Sequence, residues 1–449
     1  MTLVSQREAI DASAPTVQAT RVPLGPTEKY EPSTDLLTWM REKFNDFGDI
    51  YKANIYGTDV YVASTPEYAH HVLQRNWQNY RKGHDIKRVG FLLGNGLMVS
   101  EGKMWKSQRR LIQPVFHHEK IGALMNIITT ANIELLNKWR AAAEEKRSIN
   151  ITRDLNVMVL DVVLISIFGK DYEQIISQFK ILSDDGVRNL QLAQAFKPLR
   201  ELVLQVAAKR RQEAVASADI LGMLMDARDR ETGEPMSDRQ LVNEIITLVV
   251  AGYETTASTL NWTWYLLSQH PEAMKRLSTE VINISCGEYP QMGTLQKLVY
   301  TRQVLEEAMR LYPAGWLMTR TAIKADRLGE YDVPAGTEIY ISPYLIQRHP
   351  ALWEGPDEFN PDRFDPNRSN ERQSLALIPF SAGPRKCIGE SLARIEMQSH
   401  LMIIGRFLQM RYVDQKTVEL EAGVNLRSKH DFIMMPEIIE PGLLSKDNN

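Results

Sequence analysis

Eleven residues constrain this chain more than any others: Phe380-Ser381-Ala382-Gly383-Pro384-Arg385-Lys386-Cys387-Ile388-Gly389-Glu390. They hold one of only two cysteines, in a tight glycine and proline loop that runs into a helix. A helix N-terminus offers free backbone N–H groups and the positive end of its dipole, so it favours a sulfur placed there as thiolate. Gly383 and Gly389 let the backbone turn sharply and approach something flat and large. Phe380 can pack beside the sulfur, and Arg385 is placed to meet an anionic group on the same object. Seen alone, a cysteine ahead of a helix is more often a small core hydrophobe. The complete set of neighbours argues for a ligand.

An axial thiolate, a packed face and a cation for propionates are what a haem requires. Cys387 is therefore read as the axial ligand of haem iron, with Phe380, Arg385 and Gly389 around the cofactor. The pattern Phe-x-x-Gly-x-Arg-x-Cys-x-Gly is filled at every defined position, and it resembles the haem-ligand loop of the cytochrome P-450 family. The resemblance implies a mainly α fold with small β-sheets, haem b as cofactor, and monooxygenase chemistry.

Further matches lie far upstream. Trp105 and Arg109 sit four apart, on one face of a helix; the resemblance places such a pair over the haem edge, with the arginine on a propionate. Arg320 resembles the family's further propionate-binding arginine. Asp238–Gln269 reads as one long helix with Ser237 as N-cap. At its middle stands Ala251-Gly252-Tyr253-Glu254-Thr255-Thr256, where small residues let a flat group pass and hydroxyls can loosen the hydrogen-bond ladder. An acid beside an alcohol there is a proton-delivery pair. By resemblance Thr255 steers protons to dioxygen and Glu254 relays them from solvent. Glu307 and Arg310, three apart, resemble the family's Glu-x-x-Arg pair, and Arg363 is the expected third member of a buried structural network.

These motifs run from Trp105 to Gly389 in family order. Length alone, 449 residues, would suggest two or three domains. The spread of the motifs instead implies a loosely ordered segment, 1–30, followed by a single haem domain, 31–449. A net charge of −3, with no basic run interleaved with aromatics, argues against a nucleic-acid binder. Two cysteines cannot build a disulfide framework, which suggests a reducing compartment. Met1 to Ala19 carries no apolar run, so no signal peptide or transmembrane anchor is expected. By resemblance this is a bacterial, cytoplasmic, monomeric type without a fused reductase. Electrons then come from NAD(P)H through a separate ferredoxin or flavodoxin with its reductase, with Lys103, Lys106, Arg110 and Lys386 as basic contacts for an acidic partner.

Several local expectations follow. Tyr51 to Val62 reads as a hairpin about Gly57-Thr58. Val157, Leu160, Val163, Leu164 and Ile167 read as a buried stripe. The segment Tyr172–Arg211 reads as helical, broken at Lys197-Pro198, and covers a substrate entrance. Phe91, Leu93, Met98, Val250, Trp316, Leu317 and Ile433 are the candidate cavity lining, which suits an apolar substrate. Adjacent histidines, His70-His71 and His117-His118, do not share a helix face and are not read as metal ligands. Cys286 reads as inert. The expected reaction is hydroxylation or epoxidation by one atom of O2. A peroxide-using peroxygenase and an oxygen-independent isomerase or dehydratase are disfavoured by the Glu254–Thr255 pair. A sensor or carrier without turnover would need neither that pair nor an apolar cavity.

Overall fold

A computed structural model describes residues 21–179, 190–213, 217–368, 375–414 and 417–439. Side chains at 87–89, 91–92, 178–179 and 190–197 lie outside the description. Phe91 and Lys197 therefore lie outside the described side chains.

Among the described residues the architecture is mainly helical, with four small sheets. The central helix, Asp238–Gln269, begins and ends where its sequence signals place it. Ser237 accepts from the Gln240 N–H and the Gln240 side chain returns to the Ser237 N–H, so two orphan donors are satisfied reciprocally. Most of its side chains are buried, which a helix running through the middle of a fold must achieve on all faces. It packs on Ile151–Phe168 and on Val299–Leu311.

The expected hairpin forms from Ile50–Ile55 and Thr58–Ala63. It is one edge of a five-stranded sheet that continues through Glu338–Ile341 and Met318–Ala322 to Tyr80–Lys82. Thr58–Ala63 and Glu338–Ile341 run parallel; the other pairs are antiparallel. Backbone bonds carry residues 21–30 along this sheet: Lys52 N donates to the Leu24 carbonyl at 3.0 Å and Tyr30 N to that of Asn54 at 2.9 Å. A two-stranded hairpin, Leu420–Ala422 with Leu426–Ser428, docks against the central helix through Ser258 Oγ, which donates to the Leu426 carbonyl at 2.8 Å.

Two local expectations need correction. Leu160, Leu164 and Ile167 are buried, but Val157 is 38% exposed and lines a surface cleft of about 800 Å³. Val157 shares the helix face of Leu164 by periodicity, so its exposure reflects where the cleft opens and not its place on the helix. The second correction is Pro198. The helix Leu190–Glu213 passes through it. A proline there forfeits one rung of the ladder and bends the helix, a cost that the packing of Leu199, Val203 and Val206 offsets.

One buried polar network ties three helices. His400, on the helix Glu390–Ile404, is fully buried. Its Nε2 accepts from the Trp264 indole at 2.8 Å, and its Nδ1 donates to Asn132 Oδ1 at 2.7 Å. Burial pushes its pKa down to about 3. The unfolded chain takes up this proton near its ordinary value of about 6.5, whereas the folded one does not. Stability from His400 is therefore complete above about pH 6.5 and declines as pH falls towards 3. Glu244 and Glu396, pushed up by burial to about 7 and about 8, act with the opposite sign in part of that window. The contribution is thus read as a difference: urea midpoints of wild type and His400→Gln should diverge by about 2 kcal/mol less at pH 5 than at pH 7. Parallel pH curves would show that His400 is protonated in the fold.

Candidate functional site

The cysteine loop is shaped by a distant segment. Gly383 has φ +71°, and a Cβ there would lie 2.1 Å from the Leu73 carbonyl oxygen. Only glycine suits both that conformation and that contact. Gly389 is different: it has an ordinary φ of −88° as N-cap of Glu390–Ile404, and a Cβ on it would meet nothing. The turn therefore rests on Gly383 and not on Gly389. Cys387 N donates to the Phe380 carbonyl at 2.9 Å, which closes the loop.

The Cys387 side chain retains accessible surface although its thiol is set well inside the fold. Burial pushes its pKa above the ordinary value; the Gly389 and Glu390 N–H groups and the Arg109 charge pull the other way, while the Glu390 charge adds to the rise. The N-terminal donors expected from the sequence are in place, but they do not outweigh burial for the free thiol. A bound cation would reverse this balance.

Beside the loop lies a cluster of buried cations. Arg385 clasps Glu101 with both terminal nitrogens and lies over the Trp105 and Trp77 rings, 5.2 and 5.8 Å from their centroids. Its Nε is buried without a hydrogen-bond partner among the described residues. Burial opposes the Glu101 charge, but Arg385 and the Lys82 N–H hold its carboxyl below the usual range. Arg320 is buried and donates to the carbonyl of its neighbour Thr319 at 2.8 Å. Burial, then the nearby Arg385, push its pKa down to about 10. Lys82, also buried, donates to the Leu97 and Ser100 carbonyls at 2.9 and 3.0 Å; burial and Arg385 lower it to about 7. The Arg320 and Arg385 guanidiniums, with Lys82 beside them and Glu101 as the carboxylate between, make a setting suited to a further anion. Arg109 donates to the Lys386 carbonyl at 2.8 Å, so it binds the cysteine loop directly.

The central helix supplies the other face. Ala251 is exposed, and Gly252 to Thr255 are half-buried, in a helix whose Val249 and Ala257 are fully buried. The middle of this helix is thus partly accessible. The helix is unbroken there. Thr255 Oγ1 donates to the Ala251 carbonyl at 2.8 Å, and Thr259 repeats the bond to Thr255 at 2.9 Å. The threonine hydroxyls decorate the ladder without opening it. Glu254 Oε1 lies 3.5 Å from Arg427 Nη1.

Glu307 and Arg310 are fully buried. Arg310 Nε bonds Glu307 Oε2 at 2.6 Å, and Arg363 Nε reaches Glu307 Oε1 at 3.3 Å, which assembles the expected trio. Met98, Val250, Leu317 and Ile433 are half-buried. Leu93 and Trp316 are core: Leu93 is 2% exposed, and the Trp316 indole donates to the Gly423 carbonyl at 2.9 Å within the cluster around Trp39 and Tyr344. Among the basic contacts, Lys103 and Lys106 are exposed. Arg110 is tied to Asp229 and Glu231, and Lys386 to Glu390. His71 bonds Asp326 at 2.8 Å and His70 bonds Gln74 at 2.9 Å. Cys286 is exposed at a helix C-terminus.

Sequence reasoning missed Glu101, Lys82 and Arg427. Glu101 and Arg427 lie 284 and 173 positions from Arg385 and Glu254, and none of the three sits in a motif.

A mainly helical fold with a cysteine at an inward-facing helix N-terminus and buried cations beside it defines a haem-thiolate protein. The chain matches the family described as Cytochrome P-450 over residues 24–182 and 166–421, and it belongs to that family. It is 31% identical over 392 residues to cyclooctat-9-en-7-ol 5-monooxygenase of Streptomyces melanosporofaciens, covering 83% of this chain and 84% of that one. It is 30% identical over 444 residues to carotene epsilon-monooxygenase, chloroplastic, of Arabidopsis thaliana, covering 89% and 80%. The crystal structure of the cytochrome P-450DA haem domain shares the fold with a TM-score of 0.82 at 22% identity, covering 94% of this chain and 98% of that one. The protein is an oxidoreductase of the monooxygenase kind with haem b as cofactor. Its residues fit that group: a thiol at a helix N-terminus for the iron, and under-partnered buried guanidiniums for the propionates. Among the described residues no helix is long and apolar enough to cross a membrane.

Proposed function

We propose that the enzyme inserts one atom of O2 into an apolar, largely hydrocarbon molecule, by hydroxylation or epoxidation. The observation that carries this reading is the acid–alcohol pair Glu254–Thr255 on a half-buried stretch in the middle of a largely buried helix. Electrons come from NAD(P)H through a separate ferredoxin or flavodoxin, which Lys103 and Lys106 are free to contact. In this reading residues 31–449 act as one haem domain, a cytoplasmic monomer.

Haem, when bound, supplies the oxidising chemistry, with a thiolate ligand favouring O–O cleavage. The chain's own residues do the rest. Cys387 would be the ligand, and Arg109, Arg320 and Arg385, with Trp105 and Phe380, would hold the macrocycle. The Thr255 hydroxyl spends its proton on Ala251 in the resting helix, so its lone pairs are open to accept a proton or a water. Glu254, one residue earlier and half-exposed to solvent, exchanges protons with bulk water and hands them on. Met98, Val250, Leu317 and Ile433 present apolar surface that orients a substrate without polar anchors and excludes water.

The cyclooctat-9-en-7-ol and carotene monooxygenases favour a terpene-like substrate over a fatty acid. The test is turnover with a surrogate ferredoxin and its reductase under ¹⁸O2, offered a cyclic terpene alcohol, a carotene and a fatty acid. One labelled oxygen per product molecule, preferentially from a terpene, is expected; product without label sinks the oxygenase reading. Thr255→Ala should lower product per NAD(P)H roughly tenfold or more and release peroxide instead. An unchanged yield would remove Thr255 from the proton path.

A further inference from the structure

The helix Glu390–Ile404 starts behind Cys387, and at its other end, roughly 20 Å away at the usual rise, a small cavity opens. The helix Met125–Glu144 and the turn after the helix Pro271–Ser285 form its remaining walls. The cavity measures about 230 Å³, less than the roughly 300–1,000 Å³ of a pocket for a drug-sized ligand. Leu136, Met402 and Ile403 give it a buried, apolar floor. Arg140 and Arg406 line it too, their guanidiniums 5.7 and 4.9 Å from the centroid of the same Phe407 ring. The head of Arg406 also reaches the turn, since a Cβ on Gly287 would lie 3.7 Å from its Nη2.

Two like charges around one ring repel each other, yet neither is neutralised by a carboxylate among the described residues. Carboxylates are close in both cases. Glu144 follows Arg140 by four positions, the spacing of a helical ion pair, and Glu288 lines the cavity with Arg406. Arginines nearby in the chain do pair: Arg147 with Glu145 at 2.9 Å and Arg411 with Glu437 at 2.7 Å. Stacking on an aromatic face leaves the N–H edges of a guanidinium able to donate. Asn137 and Tyr289 add an amide and a phenolic hydroxyl to the same lining. The cavity thus combines an apolar floor with an excess of donors and of positive charge.

We propose that this cavity binds a phosphate monoester with a small apolar stem. Such a phosphate carries close to two negative charges and three acceptor oxygens, which two guanidinium forks can meet together. The stem lies on Leu136, Met402 and Ile403. Glu288 opposes the anion, so its charge limits the affinity. None of these residues belongs to the cysteine loop or the central helix, and the site stands apart from the oxygenase reading.

The probe is phenyl phosphate, titrated calorimetrically into the holoenzyme at low salt, above the second phosphate pKa of about 6. One saturable site is expected. Arg140→Gln and Arg406→Gln should each weaken it about tenfold, and Glu288→Gln should tighten it. Arg147→Gln, outside the cavity, should leave it unchanged. Inorganic phosphate should bind about tenfold more weakly or worse, because the apolar floor then stays uncovered. Cys286 provides a local readout: it is exposed and adjoins Gly287 of the lining. Phenyl phosphate should slow its alkylation by iodoacetamide in the wild type and not in Arg406→Gln. The haem absorption spectrum checks that each variant is folded. Absence of saturable binding, an affinity that both arginine substitutions leave unmoved, or equal affinities for phenyl and inorganic phosphate would overturn the proposal.

Discussion

Cys387→Ser is expected to give a folded protein whose carbon monoxide difference spectrum has lost the strongly red-shifted Soret band and whose turnover has fallen to background. The fold should survive because the loop is closed by backbone, Cys387 N to the Phe380 carbonyl, and its turn is set by Gly383 against Leu73. Serine is smaller, and it can accept the same N–H groups from Gly389 and Glu390 that face the sulfur. What it cannot supply is the soft, electron-donating ligand that favours O–O cleavage. The difference spectrum of the reduced variant decides the matter. A red-shifted band that persists in Cys387→Ser would assign the ligand elsewhere. Cys286, exposed at a helix end and donating to the Asn283 carbonyl at 3.3 Å, is the other cysteine.

Arg310→Leu should be the most destabilising single change in the proximal half of the molecule. All five N–H donors of Arg310 are used. Nε and Nη2 grip Glu307; Nη1 serves the Gln347 and Pro356 carbonyls at 2.8 and 2.7 Å; and Nη2 also reaches that of Glu358 at 3.0 Å. Removing the side chain strands a fully buried carboxylate and three carbonyls. Breaking a buried pair of this kind costs about 3–5 kcal/mol. Arg363→Leu should cost less, because Arg363 reaches Glu307 at 3.3 Å and Asn360 N still donates to the same oxygen at 2.8 Å. Urea midpoints of the two variants, read together with haem retention, check the order. Equal losses would mean that Glu307 is held by Arg363 as firmly as by Arg310.

What the sequence made legible was local chemistry. The central helix could be bounded from Ser237 to Gln269 because its N-cap, Ser237, is a signal carried by an adjacent residue. The cysteine loop was legible for the same reason, and so was the Glu307–Arg310 pair, three apart on one helix. The illegible parts were partnerships between distant positions. Nothing near Arg385 announces that Glu101 will clasp it, and nothing near Glu254 announces Arg427, 173 positions later. Charge recognition of this sort is decided by which strands become neighbours. Pro198 and Val157 went astray for a related reason: propensity and periodicity describe a helix alone, and packing settles whether a proline is tolerated or a valine covered.

The contact between Gly383 and Leu73 also bears on how the protein is made. The two residues are about 310 positions apart, so at roughly 5–20 residues per second a ribosome emits the second some 15–60 s after the first. Until then the turn at Leu73 waits without the loop it will mould, and the cysteine loop, once synthesised, cannot take its shape from its own residues. The haem-binding loop is therefore a late event in biogenesis, completed after the bulk of the chain has emerged. Cofactor supply must be matched to that moment, and overexpression that outruns it should accumulate a compact apoprotein rather than an unfolded chain.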